Sequence, residues 1–257
     1  VLDVKVNDYP THAASLPVAI IPNCAATRHN HFVLDGSGPA EFTPPSLSDW
    51  PEVTRQVASN TRHINLDTIT ANDIRTWQPG DTLLLSGHLL TGRDTAHKKI
   101  AELINNKQPL PKGLCFKGRF IYYVGPVEPV KGEVVGPAGP TTATRMDKFT
   151  DMMLGQTGLL GMIGKAERGP SAIAAIKKYR SVSLIAVGGS AYLVSKAIKS
   201  SRIVAFEELG MEAIREFYVE NMPVTVAVDN LGQSIHESGP KEWSQKISQM
   251  SIKPRLL

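Results

Sequence analysis

The 257-residue chain contains two cysteines, Cys24 and Cys115, too few to staple a domain of this size with a disulfide framework. That scarcity favours a reducing compartment, the cytoplasm or an organelle. No apolar run approaches the ~20 residues needed to cross a bilayer, and no basic segment followed by an apolar one opens the chain as a secretory leader would. Dense charge is also missing. The net charge is +4, but the longest basic clusters are pairs such as Lys98-Lys99 and Lys177-Lys178. A nucleic-acid surface needs a denser basic stripe with aromatics interleaved, so a nucleic-acid partner is not expected. There is no initial methionine; the chain begins Val1-Leu2-Asp3, and it is expected to be a piece of a longer protein. Repeats and low-complexity tracts are absent.

What is present is an ordinary globular composition, 42% hydrophobic and 20% charged, unevenly arranged. Residues 1–60 are rich in Pro, Asn and His, with turn signals at Asp35-Gly36-Ser37-Gly38-Pro39 and Thr43-Pro44-Pro45. The strand-like run Leu16–Pro22 aside, they read as an extended arm that packs on a partner domain. From residue 61 the pattern becomes regular. Ile64–Leu66, Thr82–Ser86, Phe120–Val124, Ser183–Val187, Ile203–Phe206 and Val224–Val228 read as strands. Helices are expected over residues spanning Ala96, Ile100, Leu103 and Ile104, then at about 141–154, 170–179 and 190–199. Asp229–Gly232 reads as a hairpin-like return. Strand–helix alternation predicts an α/β domain with a parallel sheet and helices on it, with some antiparallel sheet from the hairpins.

Three segments could carry chemistry. In GPAGPTTATRMDKF (136–149) a Gly/Pro loop leads into threonines and Arg145. Free N–H groups at a helix start attract an anion, and an arginine can grip a carboxylate with two parallel bonds. The bland alternative is an ordinary threonine-capped helix with Arg145 in solvent. In SGHLLTGRDTAHKK (86–99) Arg93 falls at a strand-to-helix junction, a usual ligand position in α/β proteins. Its charge opposes the helix dipole there, which points to an anionic ligand or to pairing with Asp94. Lys165, in GMIGKAERGP (161–170), is a third candidate cation or a solvated loop lysine. Neither Gly-rich nucleotide-binding pattern is present. Cys24, His29 and His31, with His12 upstream, lack the paired-cysteine spacing of a zinc site, and a lone cysteine is most often a small buried hydrophobe. Cys115, between Leu114 and Phe116, reads as core. His88 and His97 have no distinctive context.

These segments carry a family resemblance. GPAGPTTATRMDKF resembles the signature of the class I, iron–sulfur-dependent fumarases. GMIGKAERGP, AVGGSAYLVSKAIK, MPVTVAVDNLG and GPKEW follow in that family's order, and SGHLLTGRDTAHKK and PNCAATRH match upstream. The related L-tartrate dehydratases split the same architecture into two subunits, and this chain is similar to their beta subunit as well.

The resemblance implies a C-terminal swivelling domain of β/β/α layers at 61–257: a mixed or parallel central sheet with helices plus a smaller antiparallel sheet. It implies that residues 1–60 are an arm or linker from a missing N-terminal iron–sulfur domain. By resemblance, Thr141 matches a catalytic base, Arg93, Arg145, Lys165 and His12 match substrate-binding residues, and Cys24 matches one of three cysteines holding a [4Fe–4S] cluster. The other two are not in this sequence. The implied reaction is reversible hydration of fumarate to S-malate, with the cluster's open iron as Lewis acid and the cations stabilising developing charge. The implied partners are the missing domain and a second copy in a homodimer, with no membrane. On this reading the chain alone is inactive. The alternatives are a non-catalytic dicarboxylate- or partner-binding scaffold, and tartrate dehydratase activity.

Overall fold

A computed structural model describes residues 61–129, 132–187 and 191–249, which fall in a unit spanning Ala58–Leu257. Among the described residues there are seven strands: β1 (Arg62–Asn65), β2 (Thr82–Thr91), β3 (Phe120–Tyr122), β4 (Gly161–Gly164), β5 (Val182–Ile185), β6 (Ile198–Ala205) and β7 (Ile214–Val228). Five α-helices accompany them: α1 (Asp94–Asn105), α2 (Asp147–Thr157), α3 (Pro170–Tyr179), α4 (Ala191–Ala197) and α5 (Ile235–Gln249).

Strands β1 to β5 lie side by side and parallel. The antiparallel part is not a detached sheet. β7 is 15 residues long, on the order of 50 Å at ~3.3 Å per residue, and that reach lets it serve three neighbours. Its last residues pair with β5, its middle with β2, and its first residues with β6. The pairing therefore runs from β2 through β3, β4, β5 and β7 back to β2. Bulges between Leu85 and Gly87, and between Ser183 and Leu184, bend the strands where this closure needs it. Gly87 has φ +117°, open to glycine alone, and a Cβ there would press on the Asp67 carboxylate at 3.1 Å.

β3 shows why so short a strand is secure. Phe120, Tyr122 and Val124 enter one core, with Leu85, Leu89, Phe217, Val224 and Val226 from β2 and β7. Ile121 and Tyr123 enter a second core, with Ala96 and Ile100 of α1, Met153 of α2 and Ile176 of α3. Strand alternation thus places β7 and α4 on one face of the parallel sheet and α1, α2 and α3 on the other. Each such fully buried large side chain contributes roughly 1.5–3 kcal/mol.

The expected α/β organisation is present, and several boundaries differ. The helix expected at about 141–154 begins as a 3-10 turn at Ala143–Met146 and becomes α-helical at Asp147; Thr141 and Thr142 are held outside it by the sheet. Lys165 follows a strand, β4, which two flanking glycines concealed in the sequence. Cys115 is exposed where core was expected, because Leu114 and Phe116 take the two inward positions. The return after Asp229 leads into α5 rather than a hairpin strand, although an isolated antiparallel bridge joins Val228 to Ser234. The arm at 1–60, with His12 and Cys24, lies outside the described residues. No helix among the described residues is long and apolar enough to cross a membrane.

Candidate active site

The carboxyl ends of β2, β3 and β4 gather four of the sequence-derived candidates. Arg93 lies two residues past β2, immediately before α1. Its guanidinium crosses the chain just after β3, where a Cβ on Gly125 would come 2.7 Å from Nη1; only a glycine lets it lie there. Thr141 is bound to the end of β3, its N–H donating to the Tyr123 carbonyl at 2.6 Å. Lys165 immediately follows β4 and donates its N–H to the Thr141 carbonyl at 3.1 Å, while the Ala143 N–H donates to the Lys165 carbonyl at 2.9 Å. Threonine 141 and Lys165 are therefore backbone neighbours, fixed to the sheet edge. The N–H groups of Thr141 and Ala143, near the expected helix start, are used to anchor this segment to the sheet.

The loop before Thr141 is equally fixed. The Tyr122 hydroxyl donates to the Ala138 carbonyl at 2.7 Å, inside the core. Gly136 donates its N–H to the Val127 carbonyl at 2.9 Å, and a Cβ there would lie 2.7 Å from the Val127 and Glu128 carbonyl oxygens.

Arg145 reaches back to α1, its Nη2 lying 2.9 Å from Asp94 Oδ2. The pairing considered from sequence, Arg93 with Asp94, is not the one formed. Arg93 instead lies 3.6 Å from Glu212 Oε1, in the turn between β6 and β7. Arg93 is 20% exposed and Arg145 50%. Lys165 is exposed and Thr141 partly buried. The edge thus presents three cations beside two internal carboxylates.

Beneath it lies a brace that sequence reading missed. Arg168, in the segment after Lys165, is fully buried and donates from Nε to Asp147 Oδ1 at 2.7 Å. It also donates from Nη2 to Thr150 Oγ1 at 2.6 Å and from Nη1 to Ser183 Oγ at 3.3 Å. The other Asp147 oxygen accepts the Gly169 N–H at 2.6 Å. One ion pair therefore joins the Lys165 segment, the start of α2 after Arg145, and β5. The guanidinium carbon stands 5.7 Å from the centre of the Tyr123 ring.

His97 was passed over too. It is buried one helical turn after Arg93, with its ring against Tyr123 and Phe149. Nδ1 donates to the Arg93 carbonyl at 2.8 Å, and buried Nε2 has no hydrogen-bond partner among the described residues. Burial pushes its pKa down to about 4, so the ring is neutral at physiological pH. The four-residue spacing from Arg93 was the available signal.

Among the described residues no three His, Cys, Asp or Glu side chains converge as a metal site requires, and the cysteine among them, Cys115, is exposed. These residues do not fit an iron–sulfur cluster.

Fold and site together describe an α/β domain that carries three cationic side chains, Arg93, Arg145 and Lys165, at the carboxyl edge of its parallel strands. The chain belongs to the fumarase family. Residues 36–239 match the fumarase C-terminus and residues 1–33 match fumarate hydratase (Fumerase). It is 33% identical over 244 residues to fumarate hydratase 2 of Leishmania major, covering 90% of this chain and 42% of that protein. It is 32% identical over 247 residues to the aerobic class I fumarate hydratase of Escherichia coli K12, covering 91% and 44%. A putative L(+)-tartrate dehydratase beta subunit of Methanocaldococcus jannaschii is 33% identical over 187 residues, covering 71% of this chain and 95% of that one. The chain spans less than half the length of these two fumarate hydratases.

Proposed function

We propose that this chain is the C-terminal part of a class I fumarate hydratase and supplies the carboxylate-handling half of its site, for reversible conversion of fumarate to S-malate. The observation that carries this reading is the convergence of Arg93, Thr141, Arg145 and Lys165, from three strand ends, on one sheet edge. The substrate is a dianion with carboxylates at both ends. Arg93 and Arg145 bind these carboxylates, each exchanging part of its contact with an internal carboxylate for one with substrate. Lys165 stabilises the charge that builds on a carboxylate when the neighbouring carbon loses a proton. Thr141 accepts that proton from S-malate. A threonine alkoxide is costly to form in water, and the cations beside it reduce that cost.

The wider proposal follows the family relation. Residues 61–257 act as the swivelling domain and residues 1–60 as an arm toward an N-terminal iron–sulfur domain. His12 joins the substrate contacts, and Cys24 joins two cysteines from outside this chain in holding a [4Fe–4S] cluster. A homodimer and a cytoplasmic location complete it, although one Leishmania major relative is named mitochondrial. A second reading, dehydration of tartrate, draws on the near-complete match to the beta subunit; it alters only the groups facing one hydroxyl.

The test is hydration of fumarate by the full-length enzyme, anaerobic and reconstituted with iron and sulfide, beside its Arg145→Ala variant and with L-tartrate as competing substrate. The expected result is efficient malate formation, severely reduced in the variant. Efficient tartrate turnover with slow fumarate turnover would replace the first reading by the second. Near-normal fumarate turnover by the variant would refute the role of Arg145.

A further inference from the structure

One carboxylate reaches the start of α1 from far along the chain. Glu212 Oε2 accepts the N–H of Thr95, the second residue of the helix, at 2.9 Å, and Oε1 lies 3.6 Å from Arg93 Nη2. α1 has no side-chain cap of its own, because the residue before it is Arg93, which has no acceptor to offer. The helix is therefore capped by a residue 117 positions away. A carboxylate is well suited to that end of a helix dipole. Burial alone would raise the Glu212 pKa, but the Thr95 bonds and the charges of Arg93 and Arg145 outweigh it, and the carboxyl stays below its usual range and ionised.

The same contact governs Arg93. Its aliphatic stem and Nη1 are boxed against Gly125, and its Nε is buried without a hydrogen-bond partner among the described residues. Its neighbour Asp94 is already committed to Arg145. Glu212 is thus the carboxylate that fixes the Arg93 guanidinium, and it does so from the side of the β6–β7 turn.

We propose that Glu212 is a positioning residue of the site: it holds Arg93 at the sheet edge for a substrate carboxylate and keeps it from competing for Asp94, so that each arginine has its own internal partner. This rests on the dicarboxylate reading above. It separates the contributions of Glu212 as a cap, which needs only an acceptor, and as a counter-ion, which needs a charge. Glutamine retains the first and lacks the second.

The experiment compares Glu212→Gln and Glu212→Ala with the parent in the full-length holoenzyme, measuring kcat and KM for fumarate and thermal unfolding. For Glu212→Gln the expected result is a kcat lower by roughly 10–100-fold, the scale of a misplaced contact group. KM should stay level or fall, because the site gains positive charge, and the melting temperature should fall by no more than about 3 °C, the scale of losing one charge at a helix end. Glu212→Ala should show the same kcat loss with a lower melting temperature. Parental kcat and KM in Glu212→Gln would overturn the proposal and leave Glu212 as a helix cap. A raised KM with unchanged kcat would overturn it too, since that marks uniform binding rather than positioning. A parent that forms no malate removes the dicarboxylate reading and this proposal with it, whereas an active parent with an indifferent glutamine variant removes only the role of Glu212.

Discussion

Arg168 and Arg145 each pair with an aspartate, Asp147 at 2.7 Å and Asp94 at 2.9 Å, yet the first guanidinium is fully buried and the second half exposed. The difference decides what each pair does. Around Arg168 the attraction is barely screened, and Thr150, Ser183 and the Gly169 N–H complete the hydrogen bonding. Such a pair is costly to break from one side, because the remaining charge is left in a poorly polar interior. Around Arg145 water competes for the half-exposed guanidinium, and such a pair contributes little to stability. On the proposed reading, a substrate carboxylate takes a share of that contact without disturbing the fold. One pair is a fixture of the framework; the other is proposed as a position held ready for exchange.

The largest effect that would test the contrast is Arg168→Ala. It should destabilise the domain by roughly 3–5 kcal/mol, the range for breaking a buried pair, and lower its melting midpoint by on the order of 10 °C. A midpoint within a degree or two of the parent would mean that water or local rearrangement replaces the brace.

Next in size is the pH dependence contributed by His97. Its folded pKa, about 4, is depressed from the ordinary 6.5, so the unfolded chain binds a proton that the folded one refuses. Its contribution is therefore complete above about pH 6.5 and declines as pH falls toward about 4, by a total of roughly 3 kcal/mol. Urea unfolding of parent and His97→Leu across that window measures it, and the variant should show a flatter slope between pH 6.5 and 5. Identical slopes would assign the acid sensitivity to other groups.

The smallest stability effect belongs to Arg145→Ala, expected to cost less than about 1 kcal/mol while abolishing most turnover. If the variant instead unfolds several degrees early, Arg145 belongs to the framework with Arg168, and the contrast fails.

Much of the edge was legible before the fold was known. The junction between a strand and the helix after Arg93, and the Gly/Pro loop leading into Thr141 and Arg145, read from local pattern alone as candidate ligand positions, although the strand runs on to Thr91, past its expected end at Ser86. The periodic stretches were legible for the same local reasons: α3 occupies the expected residues, opened by Pro170. β4 was hidden because Gly161 and Gly164 have almost no intrinsic strand preference. The neighbours demand those glycines, since a Cβ on Gly164 would meet Ala143 Cβ at 2.9 Å and Tyr123 Cδ2 at 3.0 Å. The first half of β7 was missed because Arg215, Glu216 and Glu220 read as surface; its strand state comes from pairing with β2 and β6.

Residue type, local spacing and motif order were enough for the α/β class, the place of Arg93 at a strand-to-helix junction, and the family; that Lys165 follows a strand and that Thr141 stands outside its helix came from the sheet. Only the tertiary structure decided which carboxylate each cation meets. Asp94 adjoins Arg93 in the chain, yet it pairs with Arg145, while Arg93 turns to Glu212. Ion pairing follows distance in space, and distance in space was set by a 15-residue strand that carries the β6–β7 turn back to the start of α1.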